Sequence, residues 1–173
     1  MKNKILLGVA ILAIISVGSI QANETMMEPT IVDTAIQVND ATGEFSILIA
    51  ALQAADPSVI ETLSGKGQYT VFAPTDEAFT NLLSELEITA EEPLSNQALV
   101  TQVLLYHVAH GRLYAEDVLE KQKINTLLKG KEGFLYQYEG ILTDNYERTS
   151  TIIGIDIETS NGIIHVIDTV VLP

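Results

Sequence analysis

The chain has no cysteine and no tryptophan, and it has few basic residues. The absence of cysteine excludes a disulfide framework and any metal site built on thiolates, so the fold must depend on packing. Nine lysine and arginine residues stand against 23 aspartate and glutamate residues, and the formal net charge over 173 residues is −14. An anionic surface repels phosphate backbones and anionic lipid head groups, so nucleic acid is not an expected partner.

Residues 1–22 have the three parts of a secretory signal peptide. Lys2 and Lys4 precede a short apolar run, and a stretch of small and polar residues that ends at Ala22 follows it. We expect cleavage after Ala22 and a secreted or periplasmic protein. The alternative is that this segment is retained as an N-terminal anchor.

The rest of the chain is expected to form one domain. Residues 23–30 are polar and lack a period, which predicts a flexible leader before a domain of residues 31–173. No later run reaches the about 20 apolar residues that a membrane-spanning helix needs. A chain of this length can bury about 68–70% of its unfolded surface, enough for a stable core.

The domain is expected to pack around the stretch from Tyr69 to Leu86, which reads YTVFAPTDEAFTNLLSEL. A β-favouring run ends at Pro74, and Thr75 then provides a hydroxyl that can cap the first turn of a helix. Phe79 begins an apolar stripe with the period of an amphipathic helix. This pattern predicts a strand, a sharp turn and a capped helix.

Helices dominate the first half of the chain. Apolar residues recur at the i, i+3, i+4 and i+7 positions of a helix from Phe45 to Leu52. Asp56 and Pro57 are typical of a helix start, and Ser95 is the expected cap of a later helix.

Strands dominate the second half. Isoleucines at 153, 155 and 157 alternate with smaller or charged residues, which predicts a strand with one buried face. Residues 160–162, Ser-Asn-Gly, predict a tight hairpin turn with positive φ angles. The apolar run of residues 163–172 predicts a strand buried on both faces near the centre of a sheet. Helices followed by strands predict the class α+β.

Three separated stretches are similar to the signatures of the fasciclin-like (FAS1) domain family. They are TVFAPTDEAF at residues 70–79, LLYHVAHGRLYAEDV at residues 104–118, and NGIIHVIDTVVLP at residues 161–173. The resemblance implies a wedge of two β-sheets with several helices packed alongside. It also implies non-catalytic work in cell adhesion or attachment to extracellular matrix. His110 and the segment between Gly140 and Ile152 depart from the family pattern.

The middle signature contains the candidate partner-binding residues, Tyr106 and His107, because the resemblance places an integrin-binding motif there. The alternative is that Tyr106 is a core aromatic residue with its hydroxyl hydrogen-bonded, and that His107 is a hydrogen-bonded residue at the entry to a strand. Thr75, His165 and Asp168 are predicted to be structural. A polar residue in an apolar strand must be paired when it is buried, so we expect His165 and Asp168 to bond to backbone or to the region of Thr75.

The sequence provides no catalytic motif. It has no nucleophile elbow, no cysteine nucleophile and no phosphate-binding glycine loop, so we expect no enzyme activity. His107 and His110 are three residues apart but lack a metal-binding pattern around them, so we expect neither a metal nor a cofactor.

Two functions remain open. The first is a secreted module that attaches cells to a surface, in a biofilm or on a host, through an extracellular or cell-surface macromolecule. The second is an extracellular carrier of an apolar small molecule such as a carotenoid, which would need an apolar groove.

Overall fold

The computed structural model describes residues 28–173, so the predicted signal peptide and residues 23–27 of the leader lie outside the described residues. The helices are α1 Ile31–Thr42, α2 Ser46–Ala54, α3 Pro57–Ser64, α4 Asp76–Leu86, α5 Glu91–Leu94, α6 Gln97–Tyr106 and α7 Ala115–Glu120. The strands are β1 Tyr69–Pro74, β2 Val108–His110, β3 Lys123–Asn125, β4 Phe134–Tyr138, β5 Ile141–Thr143, β6 Thr149–Thr159 and β7 Gly162–Ile167. The predicted class, α+β, is confirmed.

The hydrogen-bonded order of the strands in space is β2-β1-β7-β6-β5-β4-β3. β1 and β7 are parallel, and the other neighbouring strands are antiparallel. The long strand β6 joins two sheets, because residues 149–151 pair with β5 and residues 152–159 pair with β7. The two predicted sheets therefore share one strand.

Side chains with oxygen acceptors cap several of the helices, because the first N–H groups of a helix have no partner within it. Thr75 Oγ1 accepts from the N–H of Ala78, and Asp56 caps α3 with Pro57 in its first turn. The cap of α6 was predicted at Ser95 and is Asn96, whose side chain accepts from the N–H of Leu99. Ser95 instead lies at the C-terminal end of α5, where its hydroxyl donates to the carbonyl of Glu92.

The predicted hairpin between β6 and β7 exists, but its turn geometry differs from the prediction. Thr159 pairs with Gly162, and Ser160 and Asn161 form a two-residue turn. None of the positive φ angles in residues 28–173 belongs to this turn. Gly162 is required by close approach instead, because a Cβ atom there would collide with the carbonyl oxygen of Tyr69 in β1.

Strand β7 lies at the centre of the sheet, between β1 and β6, as its continuous apolar sequence predicted. One hydrophobic core fills the space between this central region and helices α1, α2, α3 and α6. A second core lies on the inner side of strands β3 to β6, around Phe72, Tyr106, Leu135 and Leu142. The chain after β3 returns to β2, where Leu127 N–H donates to Val108 O at 2.7 Å.

The prediction for the isoleucines of β6 was wrong at two of three positions. Ile153 and Ile155 are 57% and 59% exposed, whereas Ile157 packs against the first core. The pairing of β6 with β7 shifts twice between Ile152 and Ile157, and Asp156 has a φ angle of 56°. These bulges change which side chains face inward, because each extra residue in a strand breaks its alternation.

Within residues 28–173, no single helix is long and apolar enough to cross a membrane. Helices α2 and α3 pass that test only when they are taken together, and the chain bends by 117° at the break between them.

Candidate binding sites

Tyr106 and His107 are buried at the end of α6, with exposures of 0% and 2%. The Tyr106 hydroxyl donates to the carbonyl of Phe134 at 2.8 Å, and burial raises the pKa of that hydroxyl. His107 Nδ1 lies 2.7 Å from Val103 O, and its Nε2 accepts from the N–H of Val171. Both side chains are therefore enclosed by the domain in this fold, and their role in binding a partner stays a prediction.

His107 is held in its neutral form. Its Nδ1 has only a carbonyl to bond and its Nε2 receives an N–H, so Nδ1 must carry the proton. Burial lowers the pKa of His107 from 6.5 to about 4, against the smaller raising effect of its bond to Val103.

His165 is buried in the same way on β7. Its Nε2 donates to Leu113 O at 2.9 Å, its Nδ1 accepts from the N–H of Asp156, and its ring stacks on Phe72. Burial also lowers the pKa of His165. The expected backbone partners are therefore present.

Asp168 differs from His165 because it is exposed, just beyond the end of β7. Its Oδ1 accepts from the N–H of Thr151 at 2.8 Å and from the hydroxyl of Thr169 at 3.0 Å. Asp168 and Thr75 line one shallow polar cleft, but the described structure contains no hydrogen bond between their side chains. Asp168 therefore holds the start of β6 against the end of β7.

His107 and His110 do not come together as ligands. His110 is exposed on the edge strand β2, with its ring centroid 6.1 Å from that of Tyr69, whereas both nitrogens of His107 are already bonded. No group of three or more metal-ligating side chains occurs in the part of the chain that the structure describes.

An apolar groove lies between α2, α4, α5 and α6. Its cavity has a volume of about 200 Å³, and the buried His107 is one of its lining residues. Leu86 and Leu99 stand 46% and 43% exposed among the lining residues, so the groove reaches the surface. The lining comprises Ile47, Leu48, Ala51, Pro74, Phe79, Leu82, Leu83, Leu86, Ile88, Ala90, Pro93, Leu94, Leu99, Val100, Val103, Leu104, His107, Val170 and Leu172.

The groove explains an unusual property of α4. Its apolar stripe, which begins at Phe79, was expected to pack on the core, yet Ala78 is the buried residue of this helix. Phe79 packs against the first core and also lines the groove, whereas Leu82, Leu83 and Leu86 line the groove and stay partly exposed. An amphipathic helix with an uncovered stripe is a surface to which an apolar molecule can bind.

A second surface is formed by the outer side of β4, β5 and β6, which we call the open sheet face. In these antiparallel strands, Tyr136 pairs with Thr143 and Thr143 with Thr149. The next row is Tyr138, Ile141 and Thr151. With Ile153 and Ile155, the exposed members of the open sheet face are Tyr136, Tyr138, Ile141, Thr149, Thr151, Ile153 and Ile155.

Sequence reasoning missed two side chains that connect distant elements. Asp76 lies in the first turn of α4, and its carboxylate accepts from the N–H groups of Ser46 and Ile47 at the start of α2. It therefore caps α2 from a different helix. Asn161 was expected only to form a turn, but its side chain is buried and bonded to α1 and α3. No local pattern marks these roles, because the partners are 29 to 130 residues away.

Comparison with known proteins identifies relatives of this chain by sequence and by structure. The family model of the fasciclin domain matches residues 43–173. The chain is 36% identical over 140 residues to protein sll1483 of Synechocystis sp., covering 81% of this chain and 73% of that protein. It is 32% identical over 133 residues to the immunogenic protein MPT70 of Mycobacterium tuberculosis, covering 75% of this chain and 64% of that protein.

Animal proteins match over a smaller share of their length. The transforming growth factor-beta-induced protein ig-h3 of Sus scrofa is 32% identical over 157 residues, which are 90% of this chain and 21% of that protein. A solved structure of a FAS1 domain pair from the insect cell adhesion molecule Fasciclin I superposes with a TM-score of 0.59. The alignment covers 84% of this chain and 51% of that chain, and at 16% identity it shows the shared fold alone.

Proposed function

Because the chain belongs to the fasciclin domain family, we propose that it is an exported, non-catalytic attachment protein. Its partner is an extracellular or cell-surface macromolecule, met in a biofilm or on a host. The observation that supports this function is the open sheet face, where Tyr138, Ile153 and Ile155 are 71%, 57% and 59% exposed. Contiguous exposed apolar side chains of this kind are typical of interaction sites.

The open sheet face is also suited to binding because the strands that carry it pack on a hydrophobic core. The inner side of the same strands packs on the second core through Leu135 and Leu142, each 0% exposed, so the outer side chains stand on a rigid base. A rigid surface loses little conformational entropy when a partner binds. Full burial of each large apolar side chain contributes about 1.5–3 kcal/mol before such costs.

The proposal is tested in the source cells. A strain without the gene should attach less well to surfaces or to other cells, and the unaltered gene should restore attachment. A gene with Tyr138→Ser and Ile153→Ser should not restore it. Ile36→Ser on α1, an isoleucine that is 41% exposed outside the open sheet face, is the matched control and should restore attachment. Normal attachment by the strain without the gene would refute the proposal.

The apolar groove favours a second candidate function, that of a carrier for an apolar small molecule such as a carotenoid. Enclosed apolar cavities of comparable volume take up small apolar molecules, and this groove has the same apolar lining with an opening to the surface. The imidazole of His107 has both nitrogens bonded, so a guest would meet no unpaired polar group there. An anionic, soluble shell around such a groove suits transport through water.

The carrier function predicts a bound molecule. The absorption spectrum of the protein purified from its native source, followed by organic extraction and mass analysis, should reveal a stoichiometric guest. With the purified chain, the neutral fluorescent probe N-phenyl-1-naphthylamine should bind, and Leu83→Ser should weaken its binding. Leu119→Ser, at an exposed leucine on α7 outside the groove, is the control. A clean spectrum, an empty extract and no probe binding would exclude the carrier.

A further inference from the structure

The chemistry of the open sheet face restricts what it can bind. One cross-strand row places a tyrosine beside two threonines, in the order Tyr136, Thr143, Thr149, and the next row runs from Tyr138 through Ile141 to Thr151. Neighbouring strands are about 4.8 Å apart, and side chains two residues apart on a strand are about 7 Å apart. Rings, methyl groups and hydroxyls therefore lie side by side on one face of the sheet.

Charge is the second restriction. Of the side chains that define the open sheet face in the described structure, none is a carboxylate, although the chain has 23 acidic residues. Two charges of opposite sign border these rows. Lys123 on β3 lies opposite Tyr136, with its ammonium 3.5 Å from the ring centroid of Phe134, and the carboxylate of Asp168 accepts from the N–H of Thr151 at 2.8 Å. An anionic polymer would be repelled by the net charge of −14, and a cationic partner would be attracted to the acidic surface elsewhere. The open sheet face therefore fits an uncharged partner.

We infer that the open sheet face binds an extended neutral polysaccharide, with β-linked sugar units lying flat across β4, β5 and β6. This inference rests on the proposed attachment function and names its partner. The C–H face of a pyranose ring is apolar and packs on tyrosine rings, which supply rigid contact area with a polar tip. The ring hydroxyls point sideways, where the hydroxyls of Thr149 and Thr151 can exchange hydrogen bonds with them.

The open sheet face suits an extended chain better than a compact ligand. Two cavities of the domain lie elsewhere, among the helices and the central strands, and a third, an acidic cleft that Ile153 lines with Asp76, Glu77 and Asp168, borders one edge of the face. An extended polymer gains from the open sheet face because each added sugar unit contacts another part of it. Binding should therefore increase with chain length and be weak for a monosaccharide.

The test uses the purified full-length chain and defined polymers. Microcrystalline cellulose in a depletion assay and soluble mixed-linkage β-glucan in affinity electrophoresis are the neutral probes, and alginate is the anionic control. The unaltered protein should bind the neutral polymers and should not bind alginate. Tyr138→Ala should weaken binding about tenfold, whereas Tyr138→Phe, which retains the ring, should keep most of it. Ile36→Ser should bind like the unaltered protein.

Other outcomes separate this inference from the attachment function. The unaltered protein could fail to bind either neutral polymer while the double substitution Tyr138→Ser and Ile153→Ser still abolishes the attachment of cells. That result would refute the polysaccharide as the partner but would still support the attachment function. The unaltered protein could instead self-associate in sedimentation experiments and bind no polymer. If Tyr138→Ala abolished that self-association, the open sheet face would be assigned to a second copy of the chain and the inference would be overturned. Equal binding of cellulose by the unaltered and Tyr138→Ala proteins would place the contact on another surface and would also overturn the inference.

Discussion

His107 should make the domain less stable as the pH falls from 7 to 5. In the folded protein, burial lowers the pKa of this imidazole from 6.5 to about 4. The unfolded chain therefore takes up a proton near pH 6.5, whereas the folded domain resists it until about pH 4. The contribution of neutral His107 to the free energy of unfolding is fully present above pH 6.5 and is lost progressively as the pH falls towards 4.

The magnitude follows from the two pKa values. A single site that titrates at 6.5 in the unfolded state and at about 4 in the folded state loses about 2 kcal/mol of stability between pH 7 and pH 5. For a domain of this size, that corresponds to a fall in Tm of roughly 4–8 °C. The pKa of His165 is lowered as well, so the observed loss should be larger than that of His107 alone.

Urea unfolding followed by circular dichroism at pH 7, 6 and 5 measures this dependence. His107→Asn retains a donor for Val103 O but cannot titrate, so it should be less stable at pH 7 and should lose less stability on acidification. His110→Asn, at an exposed position, is the matched control and should behave like the unaltered domain. If the His107→Asn and unaltered domains lose equal stability between pH 7 and pH 5, the proposed burial of a neutral His107 is refuted.

Four substitutions test the structural side chains, each by its free energy of unfolding in urea. Asn161→Ala should cost at least about 2 kcal/mol, because it leaves buried backbone groups of α1 and α3 unpaired; Ser160→Ala next to it should be nearly neutral. Asp76→Ala removes the acceptor of two N–H groups of α2 and should lower the free energy of unfolding by about 1 kcal/mol. Unchanged stability would contradict the role of Asp76 as a cap of α2. Thr75→Ala should cost about 1 kcal/mol through loss of the α4 cap. Leu48→Asp, at a position 4% exposed, should prevent folding, and a normal melting curve would disprove its place in the core.

Local sequence predicted the elements whose cause is local. The cap at Thr75 and the apolar period after it depend on residues within one or two helical turns, and α4 begins and ends where they indicate. Strand β7 was recognisable because a strand buried on both faces has no polar alternation. The family signatures lie in these same segments, which is why the class and the family could be inferred together.

Long-range pairing decided the rest. The alternation of Ile153 and Ile155 looked like a buried face, but the register of β6 against β7 and β5 places them outside. The roles of Asp76 and Asn161 depend on backbone groups far away in the sequence. A single sequence carries no signal for such partners, since any surface aspartate or asparagine has the same local pattern.

The sequence by itself determined the class of the fold, the family, the anionic surface and the absence of thiolate chemistry, because each follows from composition or from short segments. Only the tertiary structure decided where binding can occur. It buried the imidazole of His107 in the wall of a groove and left the stripe of α4 uncovered. It also turned an uncharged, tyrosine-bearing face of the sheet to solvent. These features depend on which elements pack together, and packing is a property of the whole chain.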